Sequence, residues 1–513
     1  MNRRFAWLVW LVLASGIGFT LALQTLVPTQ EVFFSGDGGE KALQMRQYAA
    51  GQFHVDLRLT SDPWTQGLWK QGLIPGDETF FVIHDKLYSI FPYTFPFVTA
   101  PFYALFGLRG LYIVPLVSVW CVWFIMALAL RRMEPNPLHR ALLLGALVFA
   151  CPLTLYAATY WEHPTAIALA FLGFTFTLRT PDCPEPIWRG LLFGAVLGAA
   201  GWFREDSIVF ASVVLLASFF HGRSRVGNRA WFAYCAGTGV AICMYFALNA
   251  WIYGNPLGSH SNQSYTELTW IERIDLAVHW FFAMCLGFVR TMPIVLFGAG
   301  VFAALARFAP KRLDGDCWYL IAVGGMTLFA VGLIVPSDGD YQIGPRFLFS
   351  IIPVVWLLIA RLWSSLNALQ NPMLRIGFMV AFLATLALGV KRDAVEGTAF
   401  LEESYRARVA PALTLLLERP ETVVAVAGQA ITQEMGVAMK TKSFFLVKKH
   451  EQLLLLVEAL RERGEDEFLF IALGDEKTEY DAAIRAAGDM PLSIEPMGRF
   501  GRHFYFYAVK IAS

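Results

Sequence analysis

Residues 5–40 read FAWLVWLVLASGIGFTLALQTLV, then PTQEVFF, then SGDGGE, and this stretch decides what kind of molecule the chain builds. The run Phe5–Val27 is 23 residues long and uncharged, and about 20 apolar residues suffice for a helix to cross the hydrocarbon layer of a bilayer. It is longer than a signal-peptide core and lacks a small-x-small cleavage site, so behind Asn2, Arg3 and Arg4 it reads as a retained first span. Directly after it, Asp37 and Glu40 sit among Gly36, Gly38 and Gly39. A span thus opens straight into an acidic, glycine-rich turn.

Further apolar runs lie at about residues 110–130, 141–159, 164–179, 187–202, 206–220, 230–250, 290–307, 317–335, 346–362 and 376–390, which with the first makes about eleven spans. Composition agrees: of 513 residues 56% are hydrophobic and 16% charged, against about 25% charged in soluble proteins. Of the 81 Asp, Glu, Lys and Arg residues, 31 fall in Phe400–Ser513. The expected organisation is a transmembrane domain over 1–395, with 28–109 as a first outer loop, and a soluble α/β domain over 396–513. A net charge of +1 and the lack of any nucleic-acid motif exclude nucleic acid as a partner. The cysteines stand singly (Cys121, Cys151, Cys183, Cys235, Cys243, Cys285, Cys317) and form neither a disulfide framework nor a zinc pattern.

Basic loops stay in the cytoplasm. With the amino terminus inside, Arg131, Arg132, Arg140, Arg179, Arg189, Arg223, Arg225, Arg229, Arg307, Lys311, Arg312, Arg361 and Arg375 all fall on that side. The other side receives residues 28–109, the turns at Glu162 and Arg204, the loop 251–275, the Asp338 loop and the terminal domain. Tyr88–Phe106 is apolar, but Pro92, Pro96 and Pro101 argue for broken helix at the outer interface; Ile274–Phe288 is read the same way. In the terminal domain, strands are expected at Thr422–Ala427, Phe468–Leu473 and Phe504–Ile511, and helices at Glu451–Arg463 and Thr478–Ala487. It carries no phosphate loop or nucleophile elbow, which leaves it a docking or acceptor-recognition part, or a passive cap.

Polar groups at a bilayer tend to mark function, and here they gather on the outer side. Asp37 and Glu40 have capping-box spacing for a helix that follows. Alternatively Asp37, at the water boundary beside glycines that admit a ligand, is a general base for an acceptor hydroxyl. Three further outer turns carry charge: Glu162 with His163, Arg204 with Glu205 and Asp206, and Asp338 with Asp340 and Arg346. Arg204 or Arg346 suits a leaving phosphate, because the guanidinium fork matches phosphate oxygens. His163 and His260 are candidates to assist or to hydrogen-bond. If the loops converge, Asp37, Glu40, Asp338 and Asp340 offer an oxygen-rich divalent-cation site.

In order along the chain come the acidic loop, YSIFPYTFPFVTAPFYALFG (88–107), YWEHP (160–164), GWFRED (201–206), NAWIYGNPLGSH (249–260) and GPRFLFSIIP (344–353). With that order and sidedness, residues 1–390 resemble the GT-C superfamily of integral-membrane glycosyltransferases, on the side of its bacterial protein O-mannosyltransferase-like and lipopolysaccharide-decorating members. The resemblance implies a polytopic α-helical GT-C-like fold with a small C-terminal α/β domain. It also implies transfer of a hexosyl or pentosyl group from a polyprenyl-phosphate donor, with inversion, to a glycan, lipid or protein acceptor at the outer, periplasmic face of a bacterial inner membrane. It places the catalytic base at Asp37 and phosphate contact at Arg346; the family's adjacent acidic pair is here split by Gly38 and Gly39. Glu40, Glu162, His163, Arg204, His260 and Asp340 are the expected substrate-binding residues. A lipid-linked-saccharide transporter and a non-catalytic scaffold are the rivals. The first is disfavoured by the lack of an internal repeat or mid-span charges; the second leaves the acidic loop unexplained.

Overall fold

The computed structural model describes residues 7–28, 30–60, 62–76, 79–134, 136–178, 185–221, 223–258, 269–335, 339, 343–367, 371–474 and 492–512. The chain forms two compact units: Met1–Thr25 with Val114–Leu248 and Ser264–Ala399, and Leu26–Ile113 with Asn249–Gln263 and Phe400–Ser513. The expected first outer loop therefore folds with the terminal α/β residues, not with the spans on either side of it.

The first unit is helical, and local chemistry sets its boundaries. Asn136 and Asn371 each precede a proline and accept hydrogen bonds from backbone N–H groups of the following turn, opening the helices Pro137–Phe149 and Pro372–Val390. Proline at that position costs nothing because its missing N–H has no partner in the helix. Six helices in the described residues are long and apolar enough to cross a membrane, or seven if Pro137–Phe149 and Pro152–Ala158, bent by 52°, count as one span. The chain is an integral membrane protein. Five more apolar helices, among them Trp7–Leu23 and Asp206–His221, run only 10–17 residues. At about 1.5 Å per residue these fall short of a full crossing, so the expected count of eleven is not reached.

One segment expected as broken helix is continuous. Ile274–Phe288 lies within a 22-residue helix, Trp270–Thr291, long and apolar enough to span. Its polar first half, with a capping box between Thr269 and Glu272, disguised it. Close helix packing rests on small residues, as membrane interfaces favour. Gly190, Gly194 and Gly198 of Ile187–Ala199 face Asn228–Tyr253, and a Cβ on Gly194 would lie 2.0 Å from the Tyr234 carbonyl oxygen. Thr238 seals the contact by donating to the Gly194 carbonyl at 3.1 Å. Several of the basic residues assigned to one side do meet: Arg225 and Arg361 both pair with Asp316, at 2.6 and 3.5 Å, and His221 reaches the same carboxylate at 2.9 Å.

In the second unit, β1 (Phe80–Ile83) and β2 (Lys86–Ser89) form an antiparallel hairpin. Tyr88–Phe106 is thus part strand, and its helix runs Thr94–Phe106 with Pro101 inside it. The break comes at Gly107, where φ is +60°, and a 3₁₀ turn leads into Ile113–Met133. The terminal sheet contains β3 (Val423–Val426), β4 (Ser443–Leu446), β5 (Glu467–Leu473), β6 (Leu492–Phe500) and β7 (Phe504–Ile511) in the order β4-β3-β5-β7-β6. Strand β3 is parallel to both neighbours and β7 antiparallel to both of its own. Three strands match the expected ones, β4 and β6 were not anticipated, and the expected helix at Glu451–Arg463 is His450–Arg463. The other, Thr478–Ala487, lies outside the described residues.

Residues 62–76 bind this sheet directly. The Leu446 amide donates to the Ile74 carbonyl at 3.0 Å, Trp69 Nε1 donates to the Phe444 carbonyl at 3.3 Å, and Arg463 pairs with Asp62 at 3.0 Å.

Candidate active site

The acidic turn opens the helix Gly36–Ala49. Its cap is Ser35, which makes no side-chain capping bond, and Asp37 sits inside the first turn, half-buried. A carboxylate there is favoured by the positive end of the helix dipole. The capping-box reading of Glu40 is overturned: its side chain is fully buried, accepting from Ser89 Oγ on one oxygen and from Gln433 Nε2 at 3.0 Å on the other. Gln433 Nε2 also donates to Thr79 Oγ1 at 3.2 Å. Burial, opposed by these hydrogen bonds and aided by the charge of Asp37, pushes the Glu40 carboxyl up to about 7.

Two glycines of the turn, Gly36 and Gly39, serve packing. A Cβ on Gly36 would stand 2.5 Å from Gln433 Oε1, and one on Gly39 would stand 1.9 Å from the Gln433 carbonyl oxygen. Lys41, also buried, lies over the Phe91 ring at 4.3 Å. Further along the same helix, Gln47 donates to the His54 and Asp56 carbonyls at 2.7 and 2.8 Å. On the same unit an open cleft of about 620 Å³ is lined by Asp56, Arg58, Trp69, Lys70 and Lys86 among others. None of the sequence-predicted site residues lines it.

In the other unit, four predicted residues from three turns come together. Glu162 precedes the helix His163–Phe174 and makes no capping bond with its side chain. It accepts instead from Arg204 Nη1 at 3.2 Å, while Arg204 Nε donates to Asp206 at 2.9 Å. His163 Nδ1 lies 3.9 Å from the same Glu162 oxygen. The Arg346 guanidinium stands over Trp161 at 5.1 Å and over Phe347 at 5.4 Å, and Arg204 approaches Phe347 at 5.4 Å. Two arginines thus share one aromatic ring, as cations favour a ring face.

The cluster is built from below by aromatic packing. Tyr156 contacts Trp161, His163 and Phe349 with centroid separations of 5.1, 5.6 and 4.8 Å, and its hydroxyl donates to the Ile343 carbonyl at 3.2 Å. Gly339 is required beside it: φ is +71°, and a Cβ would meet Phe347 at 2.7 Å.

Asp338, Asp340 and His260 lie outside the described residues. Among the described residues no three His, Cys, Asp or Glu side chains group as a metal site. Glu40 is a poor fit to the expected cation set, since both its oxygens are engaged by protein donors. Sequence reasoning missed Gln433, Ser89, Thr79, Tyr156 and Phe347; all but Tyr156 and Phe347 are neutral polar residues distant from the charged motifs.

No family model matches the chain, and no curated protein matches it in sequence. Its structure is similar to ArnT from Cupriavidus metallidurans in the apo state, with a TM-score of 0.55 at 12% identity over 96% of this chain and 97% of that one. It is similar to ArnT bound to undecaprenyl phosphate, with a TM-score of 0.53 at 13% identity over 98% and 97%. It is also similar to the oligosaccharyltransferase AglB from Archaeoglobus fulgidus in complex with an inhibitory peptide and a dolichol-phosphate, with a TM-score of 0.54 at 12% identity over 97% and 74%. The chain has the GT-C fold that its motifs led us to expect.

Proposed function

We propose that the chain is a membrane glycosyltransferase that moves a sugar from a polyprenyl-phosphate donor to an acceptor hydroxyl, with inversion, at the periplasmic face of a bacterial inner membrane. The observation that carries this reading is the fold, shared over nearly the whole chain with ArnT bound to undecaprenyl phosphate. In the proposed reaction Asp37 takes the proton of the acceptor hydroxyl as its oxygen attacks the anomeric carbon. The bond from that carbon to the phosphate oxygen breaks, and polyprenyl phosphate departs with the electron pair.

The charge that develops on the leaving phosphate needs a preorganised cation. Arg204 is already held by Glu162 and Asp206, so its part is the ordering of Phe347. Contact with the phosphate falls to Arg346, fixed against Trp161 and Phe347. Glu162, His163, His260 and Asp340 are assigned to sugar or acceptor binding, and the outer α/β residues to acceptor recognition.

The test is to incubate purified protein with a panel of undecaprenyl-phosphate-linked sugars and crude envelope acceptors, following free undecaprenyl phosphate and the anomeric configuration of the product. The expected result is release coupled to an inverted glycoside. Folded protein that releases none from any donor, but moves a lipid-linked sugar across vesicles, would establish the transporter reading instead.

A further inference from the structure

The turn that carries Asp37 is held by a residue nearly four hundred positions away. Gln433 belongs to the short helix Gln429–Met435, between β3 and β4 of the terminal sheet. Gly36 and Gly39 let that helix approach until the Gln433 backbone and side chain occupy the space where Cβ atoms would stand. The Gln433 amide then reaches Glu40 at 3.0 Å and Thr79 at 3.2 Å, while Ser89 at the end of β2 holds the other Glu40 oxygen. Glu40, Ser89, Thr79 and Gln433 are all buried, Gln433 at 7% exposure.

Gln433 is itself fixed on both sides. Thr432 Oγ1 donates to the Pro75 carbonyl at 2.6 Å, and Glu434 pairs with Arg408. A buried hydrogen-bond network with every member satisfied is stiff, because each bond lost strands a desolvated group. Glu40 lies one turn from Asp37 on the same helix, so its attachment sets the azimuth and depth of that turn. Misplacement of a catalytic group by about 1 Å costs on the order of a hundredfold in rate.

We infer that Gln433 is a positioning residue for transfer: by gripping Glu40 it fixes the Asp37 turn, which makes the terminal α/β fold part of the catalytic apparatus. The inference rests on the reading of Asp37 as the base. It also changes the part assigned to Glu40, from substrate ligand to anchor.

The experiment compares wild type, Gln433→Ala, Asp37→Asn and the swap Glu40→Gln/Gln433→Glu, in which an amide again faces a carboxylate. Two readouts are taken: kcat and KM with whichever undecaprenyl-phosphate sugar the wild type uses, and hydrogen exchange of the backbone. Gln433→Ala is expected to lower kcat at least about tenfold with donor KM within about twofold. It should also speed exchange at residues 36–40 by at least about tenfold while Glu467–Leu473 keeps its protection. The swap is expected to recover both.

An unchanged kcat in Gln433→Ala, or a swap that recovers neither readout, overturns the inference. Asp37→Asn transferring at the wild-type rate would instead sink the base, and exchange at 36–40 alone would then judge the grip of Gln433. Should Gln433→Ala fail to accumulate, Gln433→Met, which keeps the length and loses the amide, is read in the same way.

Discussion

Two buried carboxylates in this protein are satisfied by opposite means. Glu162 takes a guanidinium, and Arg204 is shared between it and Asp206, so each carboxylate in that cluster faces a cation. Glu40 takes a hydroxyl and an amide, with Asp37 the nearby charge that acts on it. Neutral donors satisfy the oxygens without cancelling the charge, and burial, only partly offset by those hydrogen bonds, makes the carboxyl hold its proton more tightly. The first arrangement suits a rigid base for the Phe347 ring that Arg346 also covers. The second suits a mechanical anchor.

The contrast is broken most severely by removing the cation. Arg204→Leu leaves Glu162 and Asp206 facing each other in a buried site and should destabilise the protein by about 3–5 kcal/mol. Thermal unfolding in detergent checks this, and a melting temperature within a degree of wild type would show that the cluster is not compensated by Arg204.

The anchor is probed by pH. Glu40 is raised from its ordinary 4.5 to about 7 in the folded protein, so the folded state holds that proton more tightly than the unfolded chain does. Its stabilising contribution is complete below about pH 4.5 and is lost as pH rises through about 7, by about 3 kcal/mol in all. Glu40→Gln keeps the shape and removes the titration. Its melting temperature should therefore fall less than that of wild type between pH 5 and 8, and parallel curves for the two proteins would mean Glu40 is ionised throughout.

The smallest effect is expected at Arg346. Arg346→Lys keeps the charge and loses both the planar fork and the stacking on Trp161 and Phe347. Donor KM should rise roughly tenfold with stability unchanged. A larger loss of stability than of affinity would make Arg346 part of the aromatic floor.

How far the sequence could be read depended on whether a signal was local. Long apolar runs announced most of the helices, and β3, β5 and β7 stood out as apolar segments. The short apolar run of β4 is bracketed by Lys440, Lys442, Lys448 and Lys449, which masked it, and β6 mixes charge with apolar residues around a bulge at Pro496–Gly498. The helix Trp270–Thr291 was hidden by Glu272, Arg273, Asp275 and His279 in its first half.

The same rule governs the site. Glu162, His163, Arg204 and Arg346 were legible because charged residues in membrane turns are few, and sidedness grouped them. Gln433 was not, since an uncharged residue on a short helix says nothing about a partner 393 positions away. Gly36 and Gly39 admit a neighbouring helix, a fact that only the fold supplies.

The most direct measurement of the central claim compares the rate of transfer by wild type and Asp37→Asn from one undecaprenyl-phosphate sugar, with donor binding measured separately on the same preparations. The account predicts a loss of about 10²–10⁴-fold in rate, with donor affinity and melting temperature preserved, because the amide keeps the size of the side chain and cannot take the proton. Transfer by Asp37→Asn at the wild-type rate would contradict it.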